Sequence, residues 1–270
     1  MHISYRFRRM LMRRSPLAPL MMALFGLFAC ESARETQPAE VPRIEPQVVR
    51  TLPHDSLAFT QGLLLHDGAL YESTGSPAGR QSQLRVLDPG TGTVLRSETV
   101  PNVFAEGLAL MDHTLMLITW RNGIAVQYAL PALRPVATPR YEGEGWGLAS
   151  DGERYYMGDG SDTLFVRNRQ FGVVKRIPVT YQGRPLTQLN ELEYARGRIY
   201  ANVWYSDFIF EIDPSSGRVL RLIDCTALVE QANLRSQEQV LNGIAYDPDA
   251  DTFYLTGKDW PVMFEVRIAD

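Results

Sequence analysis

The sequence predicts an all-β protein, a five-bladed β-propeller closed by pairing its N- and C-terminal strands, with a short helical insertion before the last blade. Three observations lead there. A four-residue opening recurs as Thr60-Gln61-Gly62-Leu63, Ala105-Glu106-Gly107-Leu108, Gly145-Trp146-Gly147-Leu148, Leu189-Asn190-Glu191-Leu192 and Leu241-Asn242-Gly243-Ile244, at offsets of 45, 40, 44 and 52 residues. Each opening leads into an alternating apolar strand, a polar turn and a second strand, the turns being Asp67-Gly68, Asp112-His113, Asp151-Gly152, Arg196-Gly197 and Asp247 to Asp251. A further strand pair follows in most units, clearest from Leu84 to Arg96 and from Phe210 to Leu222, where a strand runs into Asp-Pro and resumes after Gly. Four short strands in each unit of this length is the pattern of a propeller blade.

Taken in order, the chain begins with an address. Residues 1–29 carry Arg6, Arg8, Arg9, Arg13 and Arg14 and no acids, then an apolar run from Leu17 to Ala29 that is too short to span a bilayer and suits a secretory signal. The run ends in Leu27-Phe28-Ala29-Cys30, which resembles a lipoprotein signal with Cys30 as the lipidated residue, although Phe28 is bulkier than that pattern favours. This predicts an exported protein of the periplasm or cell envelope, held to the outer membrane by lipid on Cys30; secretion with cleavage nearby is the alternative. Residues 30–46 are polar and proline-bearing and are expected to be a disordered tether. The propeller domain is expected over residues 47–270. Gln47 to Leu52 supplies the fourth strand missing from the last unit, which ends at Met263 to Ile268, so closure leaves no open sheet edge. Thr226 to Val240 lacks strand alternation and is rich in helix formers, which places a short helix or two between the fourth and fifth units.

Composition bounds the function. With 270 residues, 45% of them hydrophobic, the chain can bury a large core. The net charge is −4, and without the five leader arginines 22 basic side chains face 31 acidic ones, a net −9 that argues against nucleic acid as a partner. The two cysteines are Cys30 and Cys225; if the first carries lipid the second has no partner in the chain, and no histidine near it suggests a nucleophile. A monomer is expected.

The openings place Gln61, Glu106, Trp146, Asn190 and Asn242 at strand starts. The matching strand ends are Gly75, Trp120, Gly160, Trp204 and Lys258, and the ten positions together are expected to line one pocket at the ring's centre. Glycine follows the strand-start position in four of five units, which predicts a tight turn there. Lys258 is one of only two lysines, the other being Lys175, which marks a compact donor. Each residue has a plainer reading taken singly: tryptophans pack between blades, Glu106 is a loop acid, the amides bond loop backbone, and Lys258 is a solvated charge. Their common register favours the pocket. Glu72 and Tyr71 fall inside a strand and are expected to be structural.

The motifs FTQGL (59–63), YESTG (71–75), FAEGLAL (104–110), ITWRNG (118–123), GEGWGL (143–148), LNELEY (189–194), ANVW (201–204), LNGIAY (241–246) and TGKDW (256–260) together resemble the plant and bacterial type of glutaminyl-peptide cyclotransferase, in order and over the whole mature domain. The resemblance implies a five-bladed propeller that converts N-terminal glutamine of peptides or proteins to pyroglutamate with release of ammonia. It implies a site of Phe59, Gln61, Glu106, Trp120, Trp146, Asn190, Trp204 and Lys258, with Glu106 as catalytic acid and proton shuttle. For such a reaction Lys258 is expected to address the carboxamide oxygen, Asn190 and Gln61 to orient the amide or share the oxyanion, and the indoles to hold the substrate, with Asn242 placed beside them by its register in the repeat. No metal and no cofactor is expected, since no clustered His/Asp/Glu set is apparent. The rival readings are a lactonase or lyase propeller, for which the strand starts offer a poor ligand set, and a non-catalytic propeller that binds peptide or carbohydrate.

Overall fold

The computed structural model describes residues 40–269 apart from Ala78, so the expected signal, Cys30 and most of the expected tether lie outside the described residues. The described residues fall in one compact unit. The described residues form five sheets of propeller type. Blade 1 comprises Thr60–His66, Ala69–Thr74, Ser82–Leu87 and Val94–Val100, and blade 2 Ala105–Met111, Thr114–Thr119, Ala125–Ala129 and Arg134–Ala137. Blade 3 comprises Leu148–Ser150, Tyr155–Met157, Thr163–Arg167 and Val173–Pro178, and blade 4 Leu189–Ala195, Arg198–Val203, Phe208–Ile212 and Val219–Asp224. Blade 5 takes Leu241–Asp247, Thr252–Gly257 and Val262–Arg267 from the end of the chain and Gln47–Pro53 from its start, the last two pairing antiparallel.

The polar turns work as their residues dictate. Asp67-Gly68, Asp112-His113 and Arg196-Gly197 each have two successive positive φ angles, the hairpin geometry whose twist matches the flanking strands. Asp88 and Asp213 open the second type of turn by accepting backbone N–H bonds from Gly90 and Ser215, and Gly92 and Gly217 take the left-handed position that ends it.

Packing explains why both faces of the inner strands are apolar. Among the described residues five core clusters occur, and each lies between two neighbouring blades. Leu63, Leu70 and Leu87 of blade 1 meet Ala245, Tyr254 and Met263 of blade 5, for example, while Leu64, Tyr71 and Leu84 on the opposite face meet Leu108, Leu115 and Leu117 of blade 2. A strand with period two thus feeds one cluster with odd residues and the next with even ones.

The glycines after the strand starts serve a different purpose from the tight turn expected. The strand pairing slips by one residue there in blades 1, 2, 4 and 5, a β-bulge, and of Gly62, Gly107, Gly147 and Gly243 only Gly243 has positive φ. What they supply is room. A Cβ on Gly62 would lie 2.6 Å from the Leu108 nitrogen, one on Gly107 2.4 Å from the Leu148 nitrogen, and one on Gly147 1.9 Å from the Asn190 oxygen. Inner strands approach one another this closely because five of them converge on one axis. Blade 4 carries Glu191 at that place, and its fully buried carboxyl accepts the backbone N–H groups of Leu63 at 3.4 Å and Ile244 at 2.9 Å, joining three blades across the centre.

The tether boundary needs correcting. Residues 43–44, expected to be disordered, add a parallel strand to the outer edge of blade 4 at Leu222 and Ile223. Arg43 forms an ion pair with Asp224 and lies over the Phe208 ring, while Val41 and Ile44 cover apolar side chains at the edge. An open strand edge attracts any segment that can satisfy it. The insertion contains one six-residue helix, Thr226–Gln231, and Leu228 buries against blades 4 and 5. Cys225 is buried, with its thiol pushed well up by burial. Among the described residues no helix is long and apolar enough to cross a membrane.

Candidate active site

Strand starts and strand ends do meet on one rim, through a repeated backbone bond. The N–H groups of Gly75, Trp120, Trp204 and Lys258 donate to the carbonyls of Phe59, Phe104, Gln188 and Val240, each two residues before its strand-start position. Blade 3 departs from the rule, since Trp146 N–H donates to Gly158. Eight of the residues read as site residues, Phe59, Gln61, Glu106, Trp120, Trp146, Asn190, Trp204 and Lys258, line one cavity of about 250 Å³ together with Phe104.

Three expected positions do not line it. Asn242 is fully buried beneath the wall, where its Nδ2 donates to the Thr60 carbonyl at 2.8 Å and to Gln61 Oε1 at 3.2 Å. The bulge is shared with blades 1, 2 and 4; what sets blade 5 apart is the positive φ at Gly243, beside which the Asn242 amide bonds to blade 1 and does not face the opening. Gly75 and Gly160 act by absence: a Cβ there would lie 2.4 Å from Phe104 and 2.7 Å from Trp146, so these glycines make room for aromatic walls. Trp260, near Lys258 in sequence, is a core residue with Nε1 bonded to the Gln239 carbonyl. Glu72 is likewise structural, a buried partner of His54, Thr60 and Arg85 that ties the closing strand to blade 1.

The wall is a chain of edge-to-face aromatics. Phe59 meets Phe104 at 6.0 Å, Phe104 meets Trp120 at 5.6 Å, and Trp146 meets Trp204 at 5.7 Å between ring centres. Lys258 Nζ lies 5.0 Å from the centre of the Phe59 ring and 5.8 Å from that of Trp204. Phe104 and Glu144 escaped the sequence reading. The signal was present, for both lie two residues before a strand-start position, as Phe59 does; the repeated carbonyl bond fixes Phe104 at the rim, and in blade 3, which lacks it, Gly145 N–H bonded to the Trp120 carbonyl holds the segment beside Glu144 there.

The electrostatics are those of buried charges. The Glu106 side chain makes no hydrogen bond with any described residue and is 4% exposed. Burial raises its pKa well above the carboxylate range, Lys258 opposes this, and Glu144 adds to it. Burial also lowers Lys258 to about 8, against the pull of Glu106, and the two form no ion pair within 4 Å. Asn190 Oδ1 is buried without a partner. A buried acid and a buried amide oxygen left unpaired are costly unless something arrives to use them. Among the described residues there is no cluster of three or more His, Cys, Asp or Glu that could hold a metal ion.

A propeller whose cavity is lined by one buried acid, one buried lysine, two amides and a wall of aromatic rings has the form of an enzyme site for a small substrate. The model of the glutamine cyclotransferase family matches residues 20–268, and the chain belongs to that family. A glutaminyl-peptide cyclotransferase of Arabidopsis thaliana is 38% identical over 231 residues, covering 83% of this chain and 71% of the relative. The crystal structure of the Myxococcus xanthus glutaminyl cyclase superposes with a TM-score of 0.80 at 38% identity, covering 86% of this chain and all of that one.

Proposed function

We propose that this protein is a glutaminyl cyclase that closes an N-terminal glutamine to pyroglutamate and releases ammonia, with Glu106 carrying the proton between the two nitrogens. The observation that carries this reading is a buried carboxyl without a protein partner, facing a cavity sized for one side chain and its amine.

The polar atoms suit a primary amide beside an amine. Asn242 occupies Gln61 Oε1, which leaves Gln61 Nε2 as a donor toward the cavity. Lys258 Nζ is a second donor, and the two together suit the carboxamide oxygen as it gains negative charge. Each well-aimed donor is worth roughly 3 kcal/mol in the transition state. Asn190 Oδ1 and Glu106 are acceptors for the N–H groups of the amine and the amide. A glutamate side chain would instead set a second carboxylate against Glu106 and the Asn190 oxygen, so amide over acid follows from the same placement.

The chemistry balances without a co-reactant. The amine nitrogen attacks the side-chain carbonyl carbon, the new C–N bond forms, and the bond to the departing nitrogen breaks. One proton leaves the attacking nitrogen and one joins the leaving nitrogen, which Glu106 relays. A free α-amine has a pKa of about 8, so much of it arrives protonated and must lose a proton before it attacks. Because burial disfavours the carboxylate, amine plus acid is brought nearer in energy to ammonium plus carboxylate, which eases the passage of the proton in either direction. The substrate supplies its own proximity; the aromatic wall holds it curled and keeps water out.

An ammonia-coupled assay on a Gln-initiated dipeptide tests this. Glu106→Gln should fold normally and lose about 10²–10⁴-fold in turnover; full activity in the variant would remove Glu106 from the mechanism. We extend the proposal to export: the arginine-rich start, the apolar run 17–29 and Cys30 support a lipid-anchored envelope protein acting as a monomer on exported peptides or proteins. Mass analysis of the mature N-terminus, with and without Cys30→Ala, decides that part.

A further inference from the structure

Glu144 is the acid at the rim that the reaction above leaves unused. Its Oε2 accepts two indole bonds at once, from Trp120 Nε1 at 2.8 Å and Trp146 Nε1 at 3.0 Å, and its Oε1 accepts Arg121 Nε at 2.8 Å. The Arg121 guanidinium also lies 3.8 Å from the Trp120 ring centre, on the indole itself. Trp120 and Trp146 come from different blades, so one carboxylate joins two walls of the cavity. The backbone is built for this: Gly145 N–H donates to the Trp120 carbonyl, and a Cβ at Gly145 would lie 2.5 Å from the Tyr141 hydroxyl.

We propose that Glu144 is a positioning residue, a clamp that fixes the indoles of Trp120 and Trp146 and thereby sets the affinity of the cavity for a terminal glutamine. The inference rests on the function proposed above. Two arguments separate it from a fold-stabilising ion pair. The Glu144 side chain is 36% exposed and Arg121 65%, and such a pair adds little to stability. The clamp also consumes both indole donors. Without it, two N–H groups would seek acceptors inside the cavity and compete with Gln61 and Lys258 for the carboxamide oxygen, or bind the Glu106 carboxylate. Three charge-assisted bonds hold Glu144 ionised against the effect of burial, and its charge adds to the upward push on Glu106.

The test uses ¹⁵N-indole-labelled protein and steady-state kinetics on a Gln-initiated dipeptide. In Glu144→Ala the indole N–H resonances of Trp120 and Trp146 should move while that of Trp260, bonded to Gln239 in the core, stays. KM should rise about tenfold or more, with kcat falling by a smaller factor as Glu106 loses the push of the Glu144 charge, the smallest of the three influences on it. Glu144→Gln keeps one acceptor oxygen but turns an NH₂ toward Arg121, and should fall between. Unmoved Trp120 and Trp146 resonances, or an unchanged KM, overturn the proposal. So does a KM change accompanied by a shifted Trp260 and a lowered melting temperature, which would mark general loosening. Wild-type protein inactive on every Gln-initiated peptide would refute the proposed function and the affinity half of this inference, while the resonances would still judge the clamp.

Discussion

Lys258→Met separates what the site costs the fold from what it gives the reaction. Lys258 is 4% exposed, and burial lowers its pKa from 10.5 to about 8. At about 1.4 kcal/mol per unit, that difference amounts to about 3 kcal/mol of folding stability lost while the lysine is charged. The contacts with Phe59 and Trp204 return about 1–2 kcal/mol of it. Methionine keeps most of the length and removes the charge, so the variant should be about 1–2 kcal/mol more stable than wild type at pH 7. The sign with pH follows from a base whose folded pKa is depressed. Below pH 8 both states are protonated and the cost is complete; between 8 and 10.5 only the unfolded chain holds the proton, so wild type gains stability as pH rises and the difference closes. Urea unfolding followed by tryptophan fluorescence from pH 7 to 10 measures it. Activity should move the other way, with kcat/KM falling on the order of a hundredfold or more as an oxyanion donor is lost. A variant less stable than wild type at pH 7, with no convergence toward pH 10, would show that the buried ammonium stabilises the fold and would refute the reasoning; unchanged kcat/KM would refute the role.

Other expectations follow from the ring's centre and from the donor set. Glu191→Ala strands the N–H groups of Leu63 and Ile244 in the interior, and at about 1–3 kcal/mol for each lost acceptor the melting temperature should drop clearly, read by circular dichroism. Gly147→Ala puts a methyl 1.9 Å from the Asn190 carbonyl oxygen and 2.7 Å from Leu192 Cγ; it should cost at least about 1–3 kcal/mol and reduce turnover by displacing Asn190, whereas a silent substitution would contradict the close approach of blades 3 and 4. Exhaustive dialysis against EDTA should leave turnover unchanged, and loss restored by zinc would contradict a relay built on Glu106.

Much of this was legible before any coordinates. The five openings and their turns gave blade number and strand order, and common register brought Gln61, Glu106, Trp146 and Asn190 to one rim with Trp120, Trp204 and Lys258. Phe104 and Glu144 sat at an equally regular place and were passed over because one looks like core and the other like surface when its partners are unknown. Asn242 was misplaced for the opposite reason: its register is right, but its amide is bonded to Thr60 and Gln61 of blade 1 beneath the wall, next to the one glycine after a strand start that has positive φ, and that partnership joins strands far apart in the chain. The short strand at Arg43 and Ile44 was missed because pairing at an outer edge depends on a vacancy about 180 residues away along the chain.

The sequence by itself determined the period, the side of each strand that every residue takes, the turns and the closure of the ring, since these follow from local alternation, backbone preferences and a repeat that can be counted. Only the tertiary structure decided how near the inner strands come, which side-chain atoms are spent on neighbours and which are left for a ligand. Those outcomes arise where five non-local packings close on one axis. There a tenth of a nanometre determines whether a glycine is required, whether Glu191 can reach two blades, and whether one carboxylate oxygen can hold two indoles.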